Sequence, residues 1–126
     1  METTLLEALA ARAEQKEKDR LAVKKFSVGG VEMRFRKPRQ AEQLTYYGAL
    51  SEAGGADALI TICKQLIYDC CEDLQDPELH RTLGVTDPYD VVSRLLDVPE
   101  IDRLGGELLT WAGLVGTAAE DTAKNS

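Results

Sequence analysis

From Ala56 to Leu74 the apolar residues recur at uninterrupted helical spacing, and no other stretch restricts the fold as strongly. Leu59, Cys63, Leu66, Cys70 and Leu74 form one stripe at three- and four-residue intervals, and Ile60, Ile62, Ile67 and Cys71 widen it. Asp57, Thr61, Lys64, Gln65, Asp69, Glu72 and Asp73 fill the positions between them. The pattern predicts a long core helix with one wet face. A stripe of aliphatic side chains and thiols supports packing before it supports catalysis. The expected core joins Leu59, Cys63, Leu66 and Cys70 of this helix to Leu95, Leu104 and Leu108 further along. At 126 residues, 44% hydrophobic and 29% charged, the chain is long enough and apolar enough to bury such a core as a single domain.

Before the long helix the pattern changes twice. Thr4-Leu5-Leu6-Glu7 has the spacing of a capping box. Leu5, Leu9 and Ala13, flanked by Leu6 and Ala10, then give a short apolar stripe that stops, because Glu14 to Arg20 is wholly polar. Such a helix cannot bury its whole length, so residues 1–22 are expected to project in part, with the leucines either docking on another chain or fraying. Between Val23 and Arg36 the period falls to two. Phe26 and Val28 alternate with Lys25 and Ser27, and Val31, Met33 and Phe35 alternate with Glu32, Arg34 and Arg36. Gly29-Gly30 between them predicts a hairpin with a primed two-residue turn, Val28 opposite Val31 and Phe26 opposite Met33. Its apolar face must rest on helices or on another molecule, since a lone hairpin is marginal in water.

Pro38 closes the hairpin, and Ala41, Leu44, Tyr47 and Leu50 mark a further helix that ends at Gly54-Gly55. Beyond the long helix, Asp76-Pro77, Asp87-Pro88 and Val98-Pro99 each open another. The last is expected to run to Val115, with Gly105-Gly106 weakening its middle. The predicted fold is therefore mainly α: an N-terminal helix, one β-hairpin at about 23–36, and a compact bundle of about five helices. Residues 23–115 form the single domain, and 116–126 a flexible C-terminal tail.

The net charge of −7 argues against a protein that coats nucleic acid. Its distribution is uneven: residues 23–39 hold six basic side chains against Glu32, whereas residues 40–126 hold 16 acidic and 5 basic ones. Head-to-tail self-association or a partner with its own charge pattern fits this asymmetry, and so does a solvated basic hairpin on an acidic domain. Three cysteines, two of them adjacent, do not form a disulfide framework, so a reducing cytoplasm is expected. No run of residues approaches a membrane span.

Chemistry finds little support. His80 is the single histidine and the cysteines lie on or beside the packing stripe, so no metal site and no Cys-His nucleophile is expected. The paired glycines lack a phosphate-binding pattern. Asp69, Glu72, Asp73 and Asp76 fit a solvated face, and Trp111 a core or interface anchor. No catalytic residue and no cofactor is assigned.

The order of the parts supplies what the residues alone do not. The segment LLEALAARAEQKEKDRLAVKKF, a hairpin ending in VEMRFRKP, a helical body, and the phrase DPYDVVSRLLDVPEIDRLGGELL together resemble tail assembly chaperones of phages and prophages of Gram-positive bacteria. The likeness extends to about Val115, and Asp87 to Leu109 is its most specific part. It implies a non-enzymatic protein of the host cytoplasm, absent from the mature virion. Such a protein binds the long tape measure protein and keeps it soluble until tail tube protein polymerises around it. It also implies homo-oligomers and, often, a second, longer form made by frameshifting, with which a junction in residues 116–126 is compatible. A chaperone of this kind needs exposed apolar surface in many copies. The candidates for partner binding or self-association are Leu5, Leu6 and Leu9, and on the hairpin Phe26, Met33, Arg34, Phe35 and Arg36. A head-tail connector or tail completion protein, a small regulatory adaptor or acidic DNA mimic, and a cysteine-dependent enzyme are the alternatives.

Overall fold

The computed structural model describes residues 4–114. Along them run α1 (Leu5–Arg20), strands β1 (Val23–Val28) and β2 (Val31–Arg36), and five further helices: α2 (Gln40–Glu52), α3 (Ala56–Asp69), α4 (Pro77–Leu83), α5 (Asp90–Leu95) and α6 (Val98–Trp111). A 3-10 turn at Glu72–Gln75 links α3 to α4. The chain is mainly helical, with the N-terminal helix, the hairpin and the helical body in the expected order. Val115, the expected end of the last helix, and the 116–126 tail lie outside the described residues.

Gly29 and Gly30 take φ of 58° and 81°, the pair of positive values that a type I′ turn demands. The strands pair antiparallel with Phe26 opposite Met33 and Val28 opposite Val31. Phe26, Val28, Met33 and Phe35 are buried. Phe26 meets Phe35 edge-on at 5.4 Å between ring centroids and meets Trp111 of α6 at 5.7 Å. The apolar face of the hairpin thus rests on the chain's own last helix. The two faces are less cleanly divided than the alternation suggests. Lys24 stands opposite Phe35 on the apolar side, its ammonium 5.2 Å from the Phe26 ring centroid, while Val23 stands opposite Arg36 on the basic side and is exposed.

The long helix is shorter than its stripe. α3 ends at Asp69, and Leu74, still buried, belongs to the 3-10 turn. Groups outside the helix claim the carbonyls at its end. The Arg36 backbone N–H donates to the Cys70 carbonyl (2.9 Å), the Arg36 guanidinium donates to that of Asp69 (2.9 Å), and Gln75 Nε2 donates to those of Tyr68 and Asp69 (2.9 and 3.1 Å). These partners satisfy the orphan acceptors of the last turn, and the chain bends away there.

Ile62, Cys63, Leu66, Ile67 and Cys70 of the stripe are buried, but Leu59 is 43% exposed. It lies in the first turn of α3, one turn before the buried stretch begins. Leu95, also expected inside, is 44% exposed. Helix α5 stops at Leu95, and Leu96 continues in an extended conformation that carries its own side chain into the core instead. On α2 the inward face is rotated from the expected stripe. Tyr46 is buried with Ala49, Leu50 and Ala53 partly so, whereas Leu44 and Tyr47 are 75% and 61% exposed. The phenol of Tyr46 donates to Asp69 Oδ2, which turns that face of α2 towards α3.

The body is built on α3 against α6. At their crossing a β-carbon added to Gly105 would lie 2.5 Å from Cys63 Cβ and 3.3 Å from Cys63 Cα. Gly105 therefore permits the close approach, and a residue expected to weaken α6 is instead its contact point. The cost of glycine in a helix, about 0.5–1 kcal/mol, is offset by that packing. Of the aspartate caps, Asp76 accepts from the Glu78 N–H (2.9 Å) at the start of α4, and Gly84 closes it at φ 68°. Asp87 instead holds a turn by accepting from the Tyr89 N–H (3.1 Å), and α5 begins only at Asp90.

Candidate functional site

Helix α1 begins with the expected capping box: the Glu7 N–H donates to Thr4 Oγ1 (3.1 Å) and the Thr4 N–H donates to Glu7 Oε2 (3.4 Å). Its second half is held by its own polar pairs, Gln15 to Asp19 (3.1 Å) and Lys18 to Glu14 (3.9 Å). No residue of α1 is buried. Leu5, Leu6 and Leu9 are 76%, 77% and 57% exposed, so the stripe readable in the sequence has no counterpart within the described residues. Each such leucine forgoes about 1.5–3 kcal/mol that burial would provide.

The structure separates the hairpin candidates from these leucines. Phe26, Met33 and Phe35 belong to the core, with Phe35 wholly buried, because α6 covers the hairpin face that was expected to meet a partner. Arg36 is also spoken for. Its Nη1 and Nη2 donate to Glu42 Oε1 and Oε2 (2.9 and 3.1 Å), and further bonds reach the carbonyls of Lys37 (3.1 Å) and Asp69 (2.9 Å). Glu42 Oε1 accepts the Arg39 N–H as well (2.8 Å). This bidentate pair fastens the end of β2 to the start of α2 and the end of α3. Hydrogen bonding to Glu42 raises the Arg36 pKa, and hydrogen bonding to Arg36 holds the Glu42 carboxyl below its ordinary value. Of the two arginines only Arg34 remains an exposed side chain, anchored through its backbone N–H to Asp73 Oδ2 (3.4 Å).

One joint escaped sequence reasoning. Asp69, assigned to a solvated face, accepts hydrogen bonds from two tyrosines, Tyr46 of α2 and Tyr89 just before α5 (3.2 Å for the latter). Burial, then the neighbouring Asp69, raises the pKa of the Tyr46 phenol; burial and the Asp69 charge do the same for Tyr89. The cluster ties α2, α3 and the start of α5 together. No spacing rule couples positions 46, 69 and 89. The available hint was that Asp69 directly precedes the buried Cys70.

The three cysteines are free and buried. Burial pushes the Cys70 thiol up to about 12, against a smaller opposing influence of Arg36, and burial also raises Cys63 and Cys71. His80 Nε2 lies 2.9 Å from the Leu74 carbonyl and 3.3 Å from the Tyr68 hydroxyl. Among the described residues there is no group of three or more His, Cys, Asp or Glu side chains placed to hold a metal ion. No helix of the described residues is long and apolar enough to cross a membrane. The arrangement offers exposed apolar and basic surface on α1 and the hairpin, carried by a body in which, among the described residues, every buried side-chain nitrogen and oxygen atom is hydrogen-bonded. No family model matches the chain, and neither a curated protein nor a solved structure matches it.

Proposed function

We propose that the chain is a non-enzymatic assembly chaperone of phage or prophage tails. In this reading it binds the tape measure protein in the cytoplasm of the host bacterium and assists tube assembly as a homo-oligomer, then leaves before the virion is complete. The observation that carries the proposal is α1. A helix with a well-formed capping box keeps its three leucines in solvent, as a helix reserved for a partner would. The binding element is then the Leu5, Leu6 and Leu9 stripe, with Arg34 supplying charge nearer the body. The buried Phe26, Met33 and Phe35 and the paired Arg36 support the fold and leave the list of contact residues. The resemblance of the segment order, above all Asp87 to Leu109, points to the same class.

The gene neighbourhood and the particle test this together. A tube gene upstream, a very long coiled-coil gene downstream, and absence of the chain from purified virions are the expected results. Detection of the chain in purified particles would assign it instead to a connector or tail completion role.

A further inference from the structure

We infer that the open edge of β1, with the groove between it and α6, accepts an extended acidic segment of another polypeptide as a third strand. The inference stands apart from the assembly role. The outer edge of β2 is already occupied, since the Arg34 and Arg36 N–H groups point away from β1 to Asp73 Oδ2 (3.4 Å) and the Cys70 carbonyl (2.9 Å). In an antiparallel ladder the residues directly opposite, Lys25 and Val23, must also turn their N–H and C=O groups outward. Ser27, opposite Glu32, follows the same alternation. None of these backbone groups has a hydrogen-bond partner among the described residues. They form an edge of the kind that strand addition uses.

Beside that edge lies an open groove of about 720 Å³, with Phe26 and Ser27 on one wall and Gly106, Thr110 and Trp111 on the other. Its second wall carries an unexplained glycine. Gly105 is accounted for by Cys63, but a β-carbon at Gly106 would meet nothing within 4 Å. The helix therefore bears the propensity cost of glycine there with no packing among the described residues to require it. What Gly106 leaves is room on the groove side, which an incoming backbone needs.

Charge selects the occupant. Lys24 and Lys25 lie on the edge, Arg34 stands opposite Lys25, and the Lys37 ammonium is 5.4 Å from the Trp111 ring centroid. The one acid on the groove wall, Glu107, is 3.8 Å from Arg103. A second copy of β1 paired antiparallel about Lys25 would set lysine against lysine, which disfavours self-pairing in that register. The fitting strand alternates. Its apolar side chains face Phe26 and Trp111, and its acidic ones face Lys25.

Trp111 is the chain's single tryptophan and supplies the readout. The full chain is titrated with an octapeptide alternating glutamate and valine, and with its lysine-valine counterpart, while Trp111 fluorescence and light-scattering mass are followed. The expected result is a saturable change with the glutamate peptide, with affinity weakened about tenfold or more for the lysine peptide, as for a strand set against like charges. Gly106→Leu should fill the groove without touching the core and weaken binding similarly, its thermal midpoint certifying the fold. Lys25→Pro, which removes an outward donor, is a second variant with the same expected loss. No response to the glutamate peptide, equal responses to both peptides, or unchanged binding by a folded Gly106→Leu overturns the inference. So does a response that accompanies dimerisation, or one seen only in a variant ending at Leu114. These last two results would assign the edge to a second copy or to residues 115–126.

Discussion

Gly105 sits against Cys63 so closely that a β-carbon on the glycine would fall 2.5 Å from the cysteine's own. A β-carbon on the neighbouring Gly106 would meet no packing partner within 4 Å among the described residues. Alanine at the two positions should act in opposite directions. Gly105→Ala forces α3 and α6 apart and should cost about 1–3 kcal/mol. Gly106→Ala should stabilise by about 0.4–1 kcal/mol through helix propensity and a less flexible unfolded chain. Urea midpoints with unchanged slopes provide the check.

The arginines of β2 should also part company. Arg36→Ala removes the bidentate pair with Glu42 and the bond to the Asp69 carbonyl, at a cost of about 1.5–3 kcal/mol for a partly exposed, charge-assisted site. Arg34→Glu changes only an exposed side chain and should stay within about 0.5 kcal/mol of the parent. Thermal unfolding of both variants distinguishes them, and equal losses would remove Arg36 from its structural role.

Acid should act through Glu42. Arg36 depresses its folded pKa, so its stabilising contribution is complete above the unfolded value of about 4.3 and is lost as pH falls through the lower folded value. The stability difference between the parent and Glu42→Gln should therefore shrink steadily below about pH 4.3. A difference that is constant from neutral pH to pH 2 would contradict the pairing.

Alkali should act through Cys70, whose thiol is pushed up to about 12 by burial. The contribution of this raised pKa is complete below the unfolded value of about 8.5 and is lost as pH rises from there towards the folded value. Cys70→Ala should flatten the alkaline limb of the stability profile, whatever its own cavity costs. In the native protein at pH 8, all three thiols should react with a chromogenic disulfide far more slowly than in denaturant.

Periodicity made the elements legible and left their meeting points hidden. The Gly29-Gly30 turn, the 2-residue alternation around it and the Thr4-Glu7 cap are local chemistry, and each appears at its predicted place. Leu59 and Leu95 lie on correctly spaced stripes, yet Leu59 precedes the buried part of α3 by a turn and Leu95 ends α5 where Leu96 enters the core instead, neither of which is a local property. The early end of α3 depends on Arg36 and Gln75, which take the carbonyls at its end from elsewhere in the chain. Of the interaction candidates, Leu5, Leu6 and Leu9 remain exposed, because an all-polar second half leaves α1 nothing to pack with. Phe26, Met33 and Phe35 have the same alternating signature whether α6 or a foreign chain covers them. Only the fold decides between those two.

The proposed role rests on α1, and the most direct measurement is co-expression of the chain with the tape measure protein of the phage or prophage proposed as its source. Soluble complex should be recovered with the parent, with a light-scattering mass that includes several copies of the chain. The variant carrying Leu5→Ser, Leu6→Ser and Leu9→Ser should lose the complex while unfolding at the parent's temperature, since none of the three is buried. Undiminished complex with this variant, or no complex with the parent, would contradict the account.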